Sequence, residues 1–348
     1  IEITGDNVSV VNSPVSYNGL GVYVTGTDDS VVSSNVSYNW NFGIYVNGDD
    51  DSVVNSTVSN NYWTGINVYG DNDSIVGSNV SDNGIYSNGV GVYVNGTDDS
   101  VLHSTVSNST YGVYVYGDND SVVNSTVSNN YWTGINVYGD NDSVVGSNVS
   151  HNGHGVYVTG DNDSVVDSTV SGNSYGIFVN GPDNSFVGDR FVGDGLYLAG
   201  PYHEVVANDT VNGRPLVYLY NVTGATVSNA GQVIAIHSRG LRVVGVNVSY
   251  ATAGVQFLDV NDSVIEDVVA SGNWNFGINV NGDNDSVVNS TVSYNGLGIN
   301  VNGNNDSAVD STVSYNRLGL YVTGTDDSLG GPNVSGNSYC LPVPAPDV

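Results

Sequence analysis

Apolar and polar residues alternate in short segments along the whole chain, and turn residues separate each segment from the next. Residues 117–150 show the pattern most clearly: GDNDSVVNSTVSNNYWTGINVYGDNDSVVGSNVS. Ile135 and Val137 fall on one face of an extended segment and Asn136 on the other, as the two-residue period of a strand requires. Each unit predicts three short strands, here 134–137, 121–123 and 125–128. They are joined by Gly-Asp-Asn-Asp, by Asn124 alone and by Asn-Asn-Tyr-Trp. β-branched Val dominates and no stretch has a helical period, so no helix is expected.

The unit recurs. Residues 48–81 match 117–150 at all but two of 34 positions, Asp50/Asn119 and Ile75/Val144. Serines following the acidic turn stand at 9, 30, 52, 74, 100, 121, 143, 164 and 185, then at 263, 286, 307 and 328. Their spacing is 21 to 23 residues, apart from one interval of 26 lengthened by an insertion at 82–89. The gap from 185 to 263 fits four weaker repeats, near Glu204, Thr226 and Arg242, for about sixteen units in all. Strands this short cannot bury their Val and Ile as separate hairpins. A chain coiled once per unit stacks each strand parallel on its counterpart and buries them all. The predicted fold is all-β, a single-stranded parallel β-helix (solenoid) of about 16 rungs with three short strands per rung. It is expected to run continuously over 1–340, with divergent middle rungs at 186–262 and a Pro-rich strand or tail at 341–348.

Rungs such as GINVYGDNDSVVNSTVSNN resemble the right-handed parallel β-helix repeats of the pectate-lyase-like superfamily. Among these they are most similar to the carbohydrate-binding/NosD-type repeats of archaeal and bacterial surface proteins. The resemblance covers nearly the whole chain. It implies a right-handed coil, in keeping with the general crossover preference, and no particular activity.

Charge narrows the partners. The chain has five Arg, no Lys and a formal net charge of -30, its acid almost entirely Asp. That argues against nucleic acid, anionic membrane surfaces and polyanionic substrates, and suits a solvated surface in salty or cation-rich surroundings. No apolar run is long enough to insert in a membrane. The chain starts at Ile1, and an extracellular or cell-surface setting after removal of a signal peptide is expected. Asn35, Asn55, Asn79, Asn108, Asn148, Asn221, Asn247 and Asn333 head Asn-x-Ser/Thr sequons and are candidate glycosylation sites, although so much Asn, Ser and Thr also generates sequons by chance. Cys340 is the single cysteine and forms no internal disulfide.

Residues one unit apart stack into columns, and three columns stand out. Asn18, Asn39, Asn61, Asn83, Asn130, Asn152 and Asn173 form an amide ladder of structural character, continued at Asn273, Asn295, Asn316 and Asn337. The acidic turn contributes Asp28, Asp29, Asp49, Asp51, Asp71, Asp73, Asp118, Asp120, Asp140, Asp142, Asp161 and Asp163. Carboxylates one rung apart repel by roughly 1 kcal/mol even in water. Ca²⁺ would relieve this, since two Ca–O bonds of ~2.4 Å span one ~4.8 Å rung rise. The alternative is a hydrated acidic face whose Asp is favoured by turn geometry. An aromatic stripe, Tyr23, Tyr45, Tyr93, Tyr114, Tyr157, Phe178, Tyr197 and Tyr321, reads as a subunit interface, a saccharide-stacking surface or plain strand stacking.

The divergent middle gathers Arg190, His203, Glu204, Arg214, His237, Arg239 and Arg242, and any active site is expected there. A glycosidase needs two carboxylates with unequal pKa values, and identical turns give no way to distinguish one acid from the next. A copper site gains little support: there is no Met, one Cys, and His151 with His154 as the only close pair of histidines. The sequence therefore points to a non-enzymatic extracellular glycoprotein, self-assembling through lateral or axial contacts into a filament, sheath or surface layer, with surface glycans as further partners. Edge prolines Pro14, Pro332 and Pro342 weigh against axial stacking. The alternative is a carbohydrate-binding or polysaccharide-degrading β-helix with its site in the middle rungs.

Overall fold

A computed structural model describes residues 1–85 and 88–339. Among them there is no helix; parallel strands stack three per turn in a β-solenoid of about 16 turns. Contacts divide the chain into two compact units, Ile1–Asp189 and Arg190–Val348. Cys340 and the expected tail at 341–348 lie outside the described residues.

In the first unit the three strands of a rung are represented by Thr133–Val137, Ser143–Val145 and Asn148–Ser150. Register holds rung after rung: Ser74 pairs with Ser52 on one side and Ser100 on the other, and Ile75 with Val53 and Val101. The insertion at 82–89 does not disturb this register. Within it, the Gly89 N–H donates to the Gly84 carbonyl at 3.1 Å. Each rung turns four aliphatic side chains inward, for example Ile66, Val68, Ile75 and Val80, all 2% exposed or less. Burying each such side chain is worth about 1.5–3 kcal/mol, and the β-branched shape suits close stacking on the rung below.

The corners follow a rule that the strand pattern alone did not disclose. Each corner places one residue in the left-handed region and turns the next side chain inward. In one rung Asn119 (φ 63), Asn124 (φ 48) and Asn129 (φ 57) precede Asp120, Ser125 and Asn130. Asn and Asp tolerate this conformation best, which accounts for their abundance. Asp120, Ser125 and Asn130 are each 2% exposed. Ser125, expected to be a strand residue, is therefore a corner residue, and the strand begins at Thr126. The inward residues form three polar ladders. The Asn39 Nδ2 donates to Asn61 Oδ1 at 2.9 Å, the Ser104 N–H donates to Ser125 Oγ at 3.1 Å, and the Asp120 N–H donates to Asp142 Oδ1 at 2.8 Å.

The second unit departs from this regularity near its start. Thr210–Val211 and Arg214–Tyr220 form an antiparallel hairpin across Asn212-Gly213. The next pairing, Leu216 with Gln232, closes a turn of only 16 residues (232 − 216), whereas Val233 with Val255 restores the 22-residue step (255 − 233). Four weaker but ordinary repeats were expected here; the hairpin and the short turn replace that regularity. Strand Leu196–Leu198 is hydrogen-bonded by side chains that mimic a neighbouring strand. Gln232 accepts from the Leu196 N–H at 3.1 Å and donates to its carbonyl at 2.5 Å, while Gln256 does the same for Leu198 at 3.3 and 2.6 Å. Both glutamines are 1% exposed or less. From Val264–Glu266 onward the regular rung resumes.

Candidate functional site: the acidic corner and the cleft that replaces it

The acidic turns divide their carboxylates between two environments. Asp29, Asp51, Asp73, Asp120, Asp142 and Asp163 are buried, whereas Asp28, Asp49, Asp71, Asp118, Asp140 and Asp161 are exposed. The members of each pair thus face opposite ways, and among the described residues no group of three or more His, Cys, Asp or Glu is arranged to hold a metal ion. The outer acids accept backbone hydrogen bonds from the next rung, as from the Asp140 N–H to Asp118 Oδ1 at 3.0 Å.

In the inner ladder one carboxylate oxygen takes a backbone N–H and the other, Oδ2, has no partner among the described residues at Asp51, Asp73, Asp99, Asp120, Asp142 and Asp163. Burial pushes the Asp73, Asp120 and Asp142 carboxyls up to about 8, opposed by the backbone hydrogen bond and reinforced by the neighbouring acids. Asp99 and Asp163 rise to about 7 and Asp51 to about 6 for the same reasons. Asn184 shows what a proton on Oδ2 would do. It occupies the same corner position, accepts from the Asp163 N–H at 2.7 Å, and its Nδ2 donates to the carbonyls of Gly181 and Gly160 at 2.9 and 3.3 Å. A protonated Oδ2 is a donor at that place; an ionised one faces acceptors.

In the second unit the same corner changes chemistry. Its inward residue passes from Asp285 to Ser263 to Leu241, linked by the Ser263 N–H to Asp285 at 2.8 Å and the Leu241 N–H to Ser263 Oγ at 2.9 Å. Its outward positions pass from Asn261 to Arg239 to Thr223, which are bridged in parallel. A cleft of about 370 Å³ opens there, lined by His237, Arg239, Asp259, Asn261, Asp262 and Asp283 among others. His237 Nδ1 lies 2.6 Å from Asp259 Oδ2, and Arg239 Nη2 donates to Asp262 Oδ2 at 2.5 Å. Both pairs are solvent-exposed, so each contributes only about 0–1 kcal/mol to stability. Their consequence is positional: Asp259 fixes the proton of His237 on Nδ1, which makes Nε2 the acceptor. The His203 ring lies 4.4 Å from that of Tyr220, which in turn is 5.8 Å from His237.

Of the middle residues singled out in the sequence, His237 and Arg239 line the cleft and His203 stands one ring away. Arg242 is paired with Glu266 at 3.0 Å, Arg214 donates to the Asn247 carbonyl at 3.2 Å, and Glu204 is buried. His151 and His154 do not form a site with each other: His154 stacks on Tyr175 at 4.9 Å, and burial lowers its pKa, while His151 sits exposed at a corner. Asp259 and Asp262 were overlooked because their turn, DVND, scans as one more acidic repeat. Their register against His237 and Arg239 could have revealed them.

The aromatic stripe is largely engaged with itself. Tyr23, Tyr45, Tyr93, Tyr114, Tyr157, Phe178, Tyr197 and Tyr321 are all half-buried. Tyr23 stacks on Tyr45 at 5.1 Å and Tyr157 on Phe178 at 5.2 Å. Where Asn67 and Asn136 interrupt the column, Tyr69 and Tyr138 bridge it, at 5.5 Å from Tyr45 and 5.6 Å from Tyr114. All eight candidate sequon asparagines, Asn35, Asn55, Asn79, Asn108, Asn148, Asn221, Asn247 and Asn333, are exposed.

Among solved structures, a tailspike protein of E. coli bacteriophage HK620, a mutant in complex with a pentasaccharide, shares 11% identity at a TM-score of 0.52. The alignment covers 84% of this chain and 58% of the tailspike chain, so this protein spans less than two thirds of that relative. The pectate lyase Pel9A shares 17% identity at a TM-score of 0.31, over 55% of each chain. A mannuronic-acid-specific polysaccharide family 6 lyase from human gut microbiota shares 10% at 0.38, over 91% of this chain and 82% of that one. Comparison with curated proteins gives no match.

The expectation that the chain is not an enzyme is corrected, because the second unit brings a histidine, an arginine and their aspartates together in one cleft. The physical error was to treat every acidic turn as equivalent; in the second unit the turn carries unlike charges in one cleft. Assembly into a filament gains no support from these comparisons. The family profile described as periplasmic copper-binding protein (NosD) matches residues 1–182 and 182–338. The donor set does not fit a copper centre: the chain has no Met, Cys340 is outside the described residues, and the described histidines join no cluster of three ligands. Matched along nearly its whole length, the chain belongs to the NosD family of repeat proteins.

Proposed function

We propose that this protein is an extracytoplasmic carbohydrate-active β-helix that binds a polysaccharide at the cleft in its divergent middle rungs. The observation that carries the reading is the meeting of the His237–Asp259 and Arg239–Asp262 pairs in one cleft. An Asp-held histidine is a group able to take a proton from a sugar hydroxyl or ring carbon, and an arginine beside it orients a polar substrate. The pentasaccharide bound by the HK620 tailspike supports a saccharide as the ligand of a fold of this kind. The family's periplasmic description supports a setting outside the cytoplasm, where a removed leader and glycosylated sequons would be at home.

The test is incubation with acidic and neutral polysaccharides, following reducing ends and unsaturated products separately. Product that is lost in His237→Ala and reduced in Arg239→Ala supports the reading. Absence of binding and turnover across the polysaccharides, or activity indifferent to both substitutions, contradicts it.

A further inference from the structure

Tryptophan is usually well buried, yet every tryptophan of this chain is exposed and all four stand at the same corner. Trp40, Trp63, Trp132 and Trp274 follow the inward Asn39, Asn61, Asn130 and Asn273 by one or two residues, and are 72%, 52%, 50% and 59% exposed. In the first unit they gather other rings. Trp40 lies 5.7 Å from Tyr62, Tyr17 stacks on Tyr38 at 5.3 Å, and Trp63 meets Phe42 edge-on at 6.4 Å. Two clefts, of about 450 and 720 Å³, share Trp40 and Tyr62 as a common wall. Asn41, Asn60 and Asp82 add polar groups to their sides.

We propose that this aromatic corner of the first unit is a second binding surface, a platform for a neutral, extended glycan. The inference rests on the saccharide reading above and adds a separate site and a ligand class to it. Three observations carry it. Over three successive rungs the corner carries Tyr17, then Tyr38 and Trp40, then Tyr62 and Trp63. The rung step of about 4.8 Å is close to the length of one pyranose, so an extended chain along the corner meets a ring in each of the three rungs. The C–H faces of a sugar are apolar and slightly positive, and match the negative faces of exposed aromatic rings. Finally, residues 1–189 contain no Arg or Lys, while Asp82 lines the wall. A uronate chain is repelled there, and so is the equally acidic first unit of a second copy.

Tryptophan fluorescence titrated with cellohexaose, laminarihexaose, chitohexaose and a galacturonate hexasaccharide tests the proposal. At least one neutral hexasaccharide is expected to shift the emission. Trp40→Ala and Trp63→Ala should each weaken that binding about tenfold, as for a central aromatic anchor, while Arg317→Ala, a change at an exposed residue outside both sites, leaves it unchanged. The substituted residues are exposed, so far-UV dichroism should be unaltered. The proposal is overturned if no neutral hexasaccharide binds, if binding is indifferent to both tryptophans, or if the galacturonate binds here instead. A dimer that Trp40→Ala dissolves also overturns it and assigns the surface to a second copy. Turnover lost in His237→Ala alongside binding indifferent to tryptophan would remove only the platform; the converse would remove only the cleft.

Discussion

The same corner of the coil appears in two forms. In the first unit it is Gly-Asp-Asn-Asp or a close variant such as Gly-Thr-Asp-Asp, with a close-packed glycine and, in most rungs, an inward acid paired with an outward one. In the second unit, at 238–241, it is Ser-Arg-Gly-Leu with His237 just before it, and His237 and Arg239 face Asp259 and Asp262 one rung on. Where neighbouring rungs are identical, every group sees copies of itself, and like charges one rung apart are relieved by protonation and backbone hydrogen bonds. Where they differ, unlike groups meet and can hold each other in defined positions. Repetition builds the scaffold, and a break in repetition builds the cleft.

The largest effect is expected from disturbing the scaffold. A Cβ on Gly139 would lie 1.6 Å from the Gly117 carbonyl oxygen, which is backbone and cannot yield. Gly139→Ala should therefore cost about 3 kcal/mol, the upper end for overpacking, visible as a lower midpoint in denaturant unfolding. Next comes making the divergent corner resemble the regular one. Arg239→Asp should weaken saccharide binding or turnover about 10²-fold, with melting almost unchanged because exposed ion pairs add so little. Replacing a strand mimic is smaller: Gln232→Leu leaves the Leu196 N–H and carbonyl buried without the glutamine and should cost about 2 kcal/mol by equilibrium unfolding.

The smallest effect per residue is a pH dependence summed over the inner ladder. Asp73, Asp120 and Asp142 hold protons up to about 8 when folded, whereas the unfolded chain releases them near 3.9. The folded state thus binds more protons between these values. Stability from these groups is complete below the unfolded value near 3.9 and declines as pH rises from there through the folded values of about 6 to 8. Melting at fixed ionic strength should be lower at pH 9 than at pH 5. Asp142→Asn, which copies Asn184, should raise the melting temperature at pH 8 by about 2–4 °C and have little effect at pH 4. A flat profile would show that the inner ladder is ionised throughout.

Much of the scaffold was legible because strand periodicity and a 21–23-residue repeat leave one economical way to bury Val and Ile. The Asn ladder followed from its spacing alone. The Asp turn was harder to read, since two acids two positions apart look like one patch until the left-handed residue between them, Asn119 in one rung, sends them in opposite directions. The middle was least legible. Gln232 and Gln256 act across 36 and 58 residues, and no local pattern marks a side chain as a substitute strand. The cleft was half visible, its histidine and arginine conspicuous for their rarity and its two aspartates hidden among many others.

Hydrogen–deuterium exchange with and without a bound oligosaccharide tests the central claim most directly, because it reports every rung at once. Protection concentrated on the turns around His237–Arg239 and Asp259–Asp262 is the predicted result, with the repeated Asp turns of the first unit unchanged. Protection spread evenly along those repeated Asp turns, with none at the cleft, would contradict it.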